Sequence, residues 1–153
     1  MFEAIFKHIN LTSNDVVVDV GCGNARLFNF LLSKGHKNKM IGVEINEAVA
    51  SKTSKRLEKY SNQVDILVGD VCGKEFPENG TIFYLFNPFN RALVEKFANQ
   101  VLTYRGSIGS CLFRPIIIYH NACHLDVFED NKIYKIDNLG VMNHHETVVI
   151  SLR

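Results

Sequence analysis

Five consecutive residues, Val16-Val17-Val18-Asp19-Val20, form a largely β-branched apolar run that stops abruptly at Gly21-Cys22-Gly23. Such a run suits a strand buried on both faces, as inside a parallel sheet, better than a strand with one wet side. Parallel strands need a crossover, so a helix and a second strand should follow. Both are present: Ala25 to Ser33 reads as a helix closed by Gly35, and Met40 to Val43 as a strand.

The alternation continues. Asn46 is placed to cap a helix whose Ala50, Thr53, Leu57 and Tyr60 fall on one stripe, and Asp65 to Val68 is the third strand. Gly73, Pro77 and Gly80 break the segment from Val71 to Gly80, so a loop or a single turn is expected there instead of a crossover helix. Thr81 to Phe86 is a fourth strand that stops at Asn87-Pro88, and Arg91 to Tyr104 is a helix with Val94, Phe97, Ala98 and Val101 on one side. Pro115 to Tyr119 is a fifth strand. Lys132 to Ile136 and Thr147 to Leu152, separated by Asp137 to Gly140 and by Asn143 to Glu146, have no helix between them and should pair antiparallel. At the start, Phe2, Ile5, Phe6 and Ile9 give one apolar face to a short helix within residues 1–10.

The expected fold class is α/β: a doubly wound, mostly parallel sheet with helices on both faces and a C-terminal antiparallel hairpin, residues 1–153 forming a single domain. In such a sheet a ligand binds outside the carboxyl ends of the strands, where the strand order reverses.

Composition narrows the classes. With 46% hydrophobic and 22% charged residues the chain can bury a sizeable core. Its net charge is +1 with acids and bases interleaved, so no extended nucleic-acid surface is evident and a protein side chain or a small molecule is favoured as partner. Neither an apolar span nor a leader pattern is visible, so no membrane association and a cytoplasmic location are expected. Cys22, Cys72, Cys111 and Cys123 are irregularly spaced and read as reduced thiols.

The Gly-x-Gly turn carries the chemistry. A nicotinamide-binding loop more often has a third glycine facing a pyrophosphate, whereas here Arg26 stands three residues after Gly23 and Asp19 precedes the turn. That pair suits a ligand with an amine-bearing portion. Asp19-Val20-Gly21-Cys22-Gly23 is similar to the first motif, Asp-x-Gly-x-Gly, of the class I S-adenosylmethionine-dependent methyltransferases. The resemblance extends from Val16 to Phe89 through Glu44 and Asp70 at the ends of the second and third strands. It implies S-adenosyl-L-methionine as cofactor and a binding set of Asp19, Gly21, Cys22, Gly23, Asn24, Glu44, Ile45, Asp70, Val71 and Asn87. In that set the loop at Gly21 and Gly23 lies along the methionine part, Glu44 accepts the ribose hydroxyls, and Asp70 with Val71 meets the adenine.

Phe86-Asn87-Pro88-Phe89 is similar to the Asn-Pro-Pro-Phe or Asn-Pro-Pro-Tyr element of methyltransferases that modify planar amines, with one proline where they have two. The resemblance makes Asn87, Pro88 and Phe89 the catalytic candidates: amide and carbonyl oxygens to accept from an amine, and an apolar wall. Transfer to nitrogen, with a protein side chain among the possible acceptors, is the expected reaction. A cofactor-binding module or subunit without activity of its own is the alternative, and oxygen methylation with His120 as base stands behind it. Tyr119, His120 and Asn121 are further candidates for the acceptor pocket. His120, Cys123, His124, His144 and His145 lack metal-ligand spacing, so no metal is expected, and Arg91, Arg105 and Arg114 read as solvated groups.

Overall fold

The computed structural model describes residues 1–107 and 115–153, and in 104–107 the backbone alone. In chain order the elements are α1 (Phe2–Phe6), β1 (Val16–Val20), α2 (Arg26–Ser33), β2 (Lys39–Glu44), α3 (Glu47–Arg56), β3 (Val64–Val68), β4 (Ile82–Phe86), α4 (Arg91–Ser107), β5 (Ile116–His120), α5 (Asp126–Glu129), β6 (Tyr134–Met142) and β7 (His145–Leu152). Seven strands form one sheet in the order β3-β2-β1-β4-β5-β7-β6. The first five run parallel and β7 pairs antiparallel with both β5 and β6. The α/β sheet read from the sequence is therefore the sheet observed.

The pleat divides each central strand between two cores. Val18 and Val20 of β1 join Phe83 and Leu85 of β4 under Val94, Phe97 and Val101 of α4. On the opposite face Val17, Met40 and Ile82 pack against Leu27, Phe28 and Leu31 of α2 and Ile5 of α1. Each such side chain contributes about 1.5–3 kcal/mol on leaving water, which is why β1 alternates between two apolar faces and has no wet one.

Local chemistry sets the element ends. Ala25 adopts φ 50° ahead of α2, and Gly35 adopts φ 79° beyond its end. Asn46 caps α3, its side-chain oxygen accepting from the Val49 amide at 3.1 Å. From Gly69 to Thr81 the chain crosses from β3 to β4 without a regular helix, as its glycines and proline dictate.

The closing hairpin is tighter than expected. Asp137 to Gly140 does not interrupt the strand: β6 continues to Met142, with a register irregularity between Asn138 and Gly140. Asn138 supports it, its Oδ1 accepting from the Gly140 amide at 2.7 Å and its Nδ2 donating to Glu146 at 2.8 Å. The turn is only Asn143-His144, both at positive φ, which gives the strand twist that a two-residue hairpin needs. The helix expected to carry its stripe through Tyr60 ends at Arg56 and is followed by a separate 3₁₀ turn at Glu58–Tyr60, and α5 has only four residues. Their periodic signal is too short to read.

Candidate cofactor and acceptor site

Strand order reverses at β1, with β2 on one side and β4 on the other. The carboxyl ends of these strands and of β3 bring Asp19, Glu44 and Asp70 to one edge of the sheet. Beside Glu44 and Asp70 opens a cleft of about 210 Å³ whose lining includes Gly21, Glu44, Ile45, Asp70, Val71 and Phe89, but not Asp19. A second cavity, about 50 Å³, includes Asp19, Gly21, Arg26, Tyr84 and Phe86 in its wall. Gly21 borders both.

The loop after β1 is held from several sides. The amides of Gly21 and Cys22 both donate to the carbonyl of Val43, at 2.9 and 3.1 Å. Glu44 Oε2 accepts from the Gly23 amide at 3.0 Å, and its Oε1 from the Asn46 amide at 2.9 Å. Thr53 of α3 donates its hydroxyl to the Gly23 carbonyl at 2.7 Å, and Arg56 donates to the Asn24 carbonyl. Thr53 carries no signal in the sequence as a loop support, because a polar residue on a helix stripe reads as ordinary packing, and Arg56 reads as an exposed cation.

Gly21 sits at φ 72°, and a side-chain carbon built there would lie 3.4 Å from Pro88 Cβ. The first and fourth strand ends thus approach each other closely. Cys22 is buried over Gly42, and burial, reinforced by Asp19 and Glu44, pushes its thiol up to about 12. It stays protonated and apolar in character, and Cys22 borders the smaller cavity. Asn24 is solvent-exposed and Ile45 is 76% exposed at the cleft rim.

Asp19 is only 5% exposed. Burial raises its carboxyl to about 7, with nearby Arg26 opposing the rise and Glu44 adding to it. Asp70 Oδ1 accepts from the Cys72 amide at 2.8 Å, so this acid caps its turn while it lines the cleft.

Asn87 takes φ 41°, a strained setting for a residue before proline. Its side-chain oxygen accepts from the Tyr119 hydroxyl at 3.4 Å. Phe89 packs beside Phe97 at 6.1 Å between ring centroids. Phe86, 38% exposed, stands against His120 and His145 at 5.0 and 5.4 Å. His120 is fully buried, its Nδ1 2.7 Å from the Thr147 hydroxyl, and desolvation with the charge of His145 lowers its pKa. It is therefore neutral near pH 7. Asn121 is half-buried at φ 56°.

Among the described residues no group of three or more His, Cys, Asp and Glu side chains is arranged to hold a metal ion. Arg91 pairs with Asp126 at 2.6 Å. Arg114 and Cys111 lie outside the described residues, as does the side chain of Arg105. No helix among the described residues is long and apolar enough to cross a membrane.

The family model for a methyltransferase domain matches residues 17–102, more than half of the chain. The chain belongs to this methyltransferase domain family. The domain is similar to the ribosomal RNA small subunit methyltransferase A of Thermotoga petrophila, 28% identical over 118 residues, which are 70% of this chain and 43% of that protein. The chain thus spans less than half the length of that relative. The fold is shared with a dimethyladenosine transferase from Plasmodium falciparum, at 16% identity and TM-score 0.68, covering 98% of this chain and 59% of the other. It is shared too with a SAM-dependent methyltransferase from Aquifex aeolicus, at 16% identity and TM-score 0.70, covering 99% and 89%.

These comparisons correct one expectation. The favoured protein or small-molecule acceptor, and the absence of an extended nucleic-acid surface as an argument for it, are overturned by a relative named for ribosomal RNA and a neighbour named for dimethyladenosine. The physical reason is that a net charge of +1 is a sum over the chain. It does not exclude a single nucleotide entering a local cleft, which requires no long basic stripe.

Proposed function

We propose that this methyltransferase domain transfers a methyl group from S-adenosylmethionine to an adenine nitrogen in RNA, in the cytoplasm, with residues 1–153 acting as one domain. The observation that carries the reading is the convergence at one sheet edge of Asp19, Glu44 and Asp70 with the end of β4, where Pro88 Cβ lies 3.4 Å from the place of a Gly21 side chain. The relative named for ribosomal RNA and the neighbour named for dimethyladenosine support the acceptor class.

The residues fit the cofactor. Gly21 leaves a cradle between two cavities, and the smaller one is bordered by a buried acid and a buried hydroxyl without a partner. Glu44, whose two oxygens each keep a free lone pair after taking a backbone donor, accepts the ribose hydroxyls. Asp70, Val71 and Ile45 border the adenine seat, the backbone of residues 21–24 follows the methionine part, and Asp19 accepts from the methionine ammonium.

When bound, S-adenosylmethionine supplies an electrophilic methyl carbon on a sulfonium that leaves as a neutral thioether. Asn87 Oδ1 and the carbonyls around Pro88 accept hydrogen bonds from the acceptor amine and turn its lone pair toward the cleft. Phe89 forms an apolar wall for the base. Transfer of that methyl to the amine nitrogen would release the thioether and leave one surplus proton on the nitrogen, which would pass to water. Catalysis by these residues is mainly positioning.

Incubation of the chain with radiolabelled S-adenosylmethionine and unmodified RNA, followed by nucleoside analysis, tests the reading. Labelled N-methyladenosine with the wild-type chain and none with Asn87→Ala is the expected result. Cofactor binding without transfer to any RNA would instead favour a binding module or subunit.

A further inference from the structure

The small cavity beside Gly21 contains a group that the reading above leaves unused. Tyr84 pairs with Asp19 across β1 and β4, and both border this cavity. Tyr84 is buried, and its hydroxyl oxygen has no hydrogen-bond partner. An unmet buried hydroxyl is a cost that phenylalanine at the same position would avoid, so its presence requires a reason. Phe2 sets its ring edge-on to Tyr84 at 5.5 Å between centroids, which holds the phenol in place. Burial pushes the Tyr84 phenol well above its ordinary value, so the group remains a donor at physiological pH. Arg26, at the first position of α2, brings a cation to the same cavity.

The methionine end of the cofactor is a zwitterion, and Asp19 answers only its ammonium group. We propose that Tyr84 and Arg26 recognise its carboxylate: the Tyr84 hydroxyl donates to a carboxylate oxygen, and the Arg26 guanidinium faces it from the rim. A volume of about 50 Å³ suits one small polar group, so the charged end enters tip first while the remainder follows Gly21. The assignment rests on the reading that places the methionine end beside Asp19. It gives the domain a means of rejecting adenosyl thioethers that lack the amino-acid end.

Calorimetric titration of the full chain with three ligands tests this. S-adenosylhomocysteine has both charged groups, decarboxylated S-adenosylmethionine keeps the amine alone, and methylthioadenosine has neither. Tyr84→Phe is expected to weaken S-adenosylhomocysteine by about tenfold and to leave the other two within about twofold. Arg26→Gln, an exposed position that spares the core, should show the same pattern with a stronger salt dependence. Equal losses for all three ligands, or no loss for S-adenosylhomocysteine, would overturn the proposal. A loss shared by the two amine-bearing ligands but not by methylthioadenosine would overturn it too, since the hydroxyl would then read the amine. A folded wild-type chain that binds none of the three would defeat the cofactor reading itself.

Discussion

The carboxylate of Glu44 receives the Gly23 amide at 3.0 Å, joining the end of β2 to the loop that leaves β1. The same side chain receives the Asn46 amide at the start of α3. One acid therefore fixes the shape of the glycine loop and faces the cleft, so its loss should be felt in stability and in binding together. Glu44→Ala should lower the unfolding free energy by about 1–3 kcal/mol, measured by urea denaturation. It should weaken S-adenosylhomocysteine by at least about tenfold.

Close approach makes Gly42 a sharper structural test than Gly35. A methyl group on Gly42 would lie 2.7 Å from Cys22 Sγ and 2.8 Å from Ile66 Cδ1, whereas one on Gly35 meets nothing within 4 Å. Gly42→Ala should cost about 1–3 kcal/mol through overpacking and shift the Cys22 backbone in the glycine loop. Gly35→Ala, strained only through its φ of 79°, should cost about 1–2 kcal/mol and leave ligand affinity unchanged. Thermal melts and titrations of both variants separate the two effects.

Asp19 predicts a pH dependence of definite sign. Its carboxyl is raised by burial from 3.8 to about 7 in the folded chain. The folded state therefore holds a proton that the unfolded state releases between these values, and stability falls as pH rises through that window. Asp19→Asn should remove this dependence and be more stable than wild type above about pH 7, by on the order of a few kcal/mol, with the difference vanishing below about pH 4. Binding should move the other way. If the ionised carboxylate seats an ammonium group, affinity for S-adenosylhomocysteine rises through about pH 7 in wild type and stays flat in Asp19→Asn.

The Tyr119 hydroxyl, donating at 3.4 Å, is the only side-chain partner given to Asn87 Oδ1 among the described residues. Tyr119→Phe should leave cofactor affinity intact and lower kcat by about two- to tenfold, because the amide orientation is less well fixed. Asn87→Ala should lower kcat by at least about a hundredfold at unchanged cofactor affinity. Single-turnover transfer beside calorimetry distinguishes the two levels.

The main lines of the sheet were legible because burial on both faces leaves long β-branched runs such as Val16 to Val20, and because Gly21, Gly35 and Asn46 mark element ends with known backbone chemistry. The end of β6 was not, since Asp137 to Gly140 has a turn composition that the Asn138 side chain and the β7 ladder override. The acids at the cleft were legible as strand-end residues. Their support was less so: Thr53 and Tyr84 look like ordinary members of an apolar stripe and an apolar strand, and only their placement against Gly23 and Asp19 sets them apart. The acceptor class was misread for a related reason, because whole-chain charge carries no information about one cleft.

The most direct test of the account is titration of the folded wild-type chain with S-adenosylmethionine and S-adenosylhomocysteine, with a nicotinamide dinucleotide as control. The account predicts dissociation constants of about micromolar order for both adenosyl ligands and no heat with the dinucleotide. No binding of either adenosyl ligand to a chain shown to be folded, or tighter binding of the dinucleotide, would contradict it.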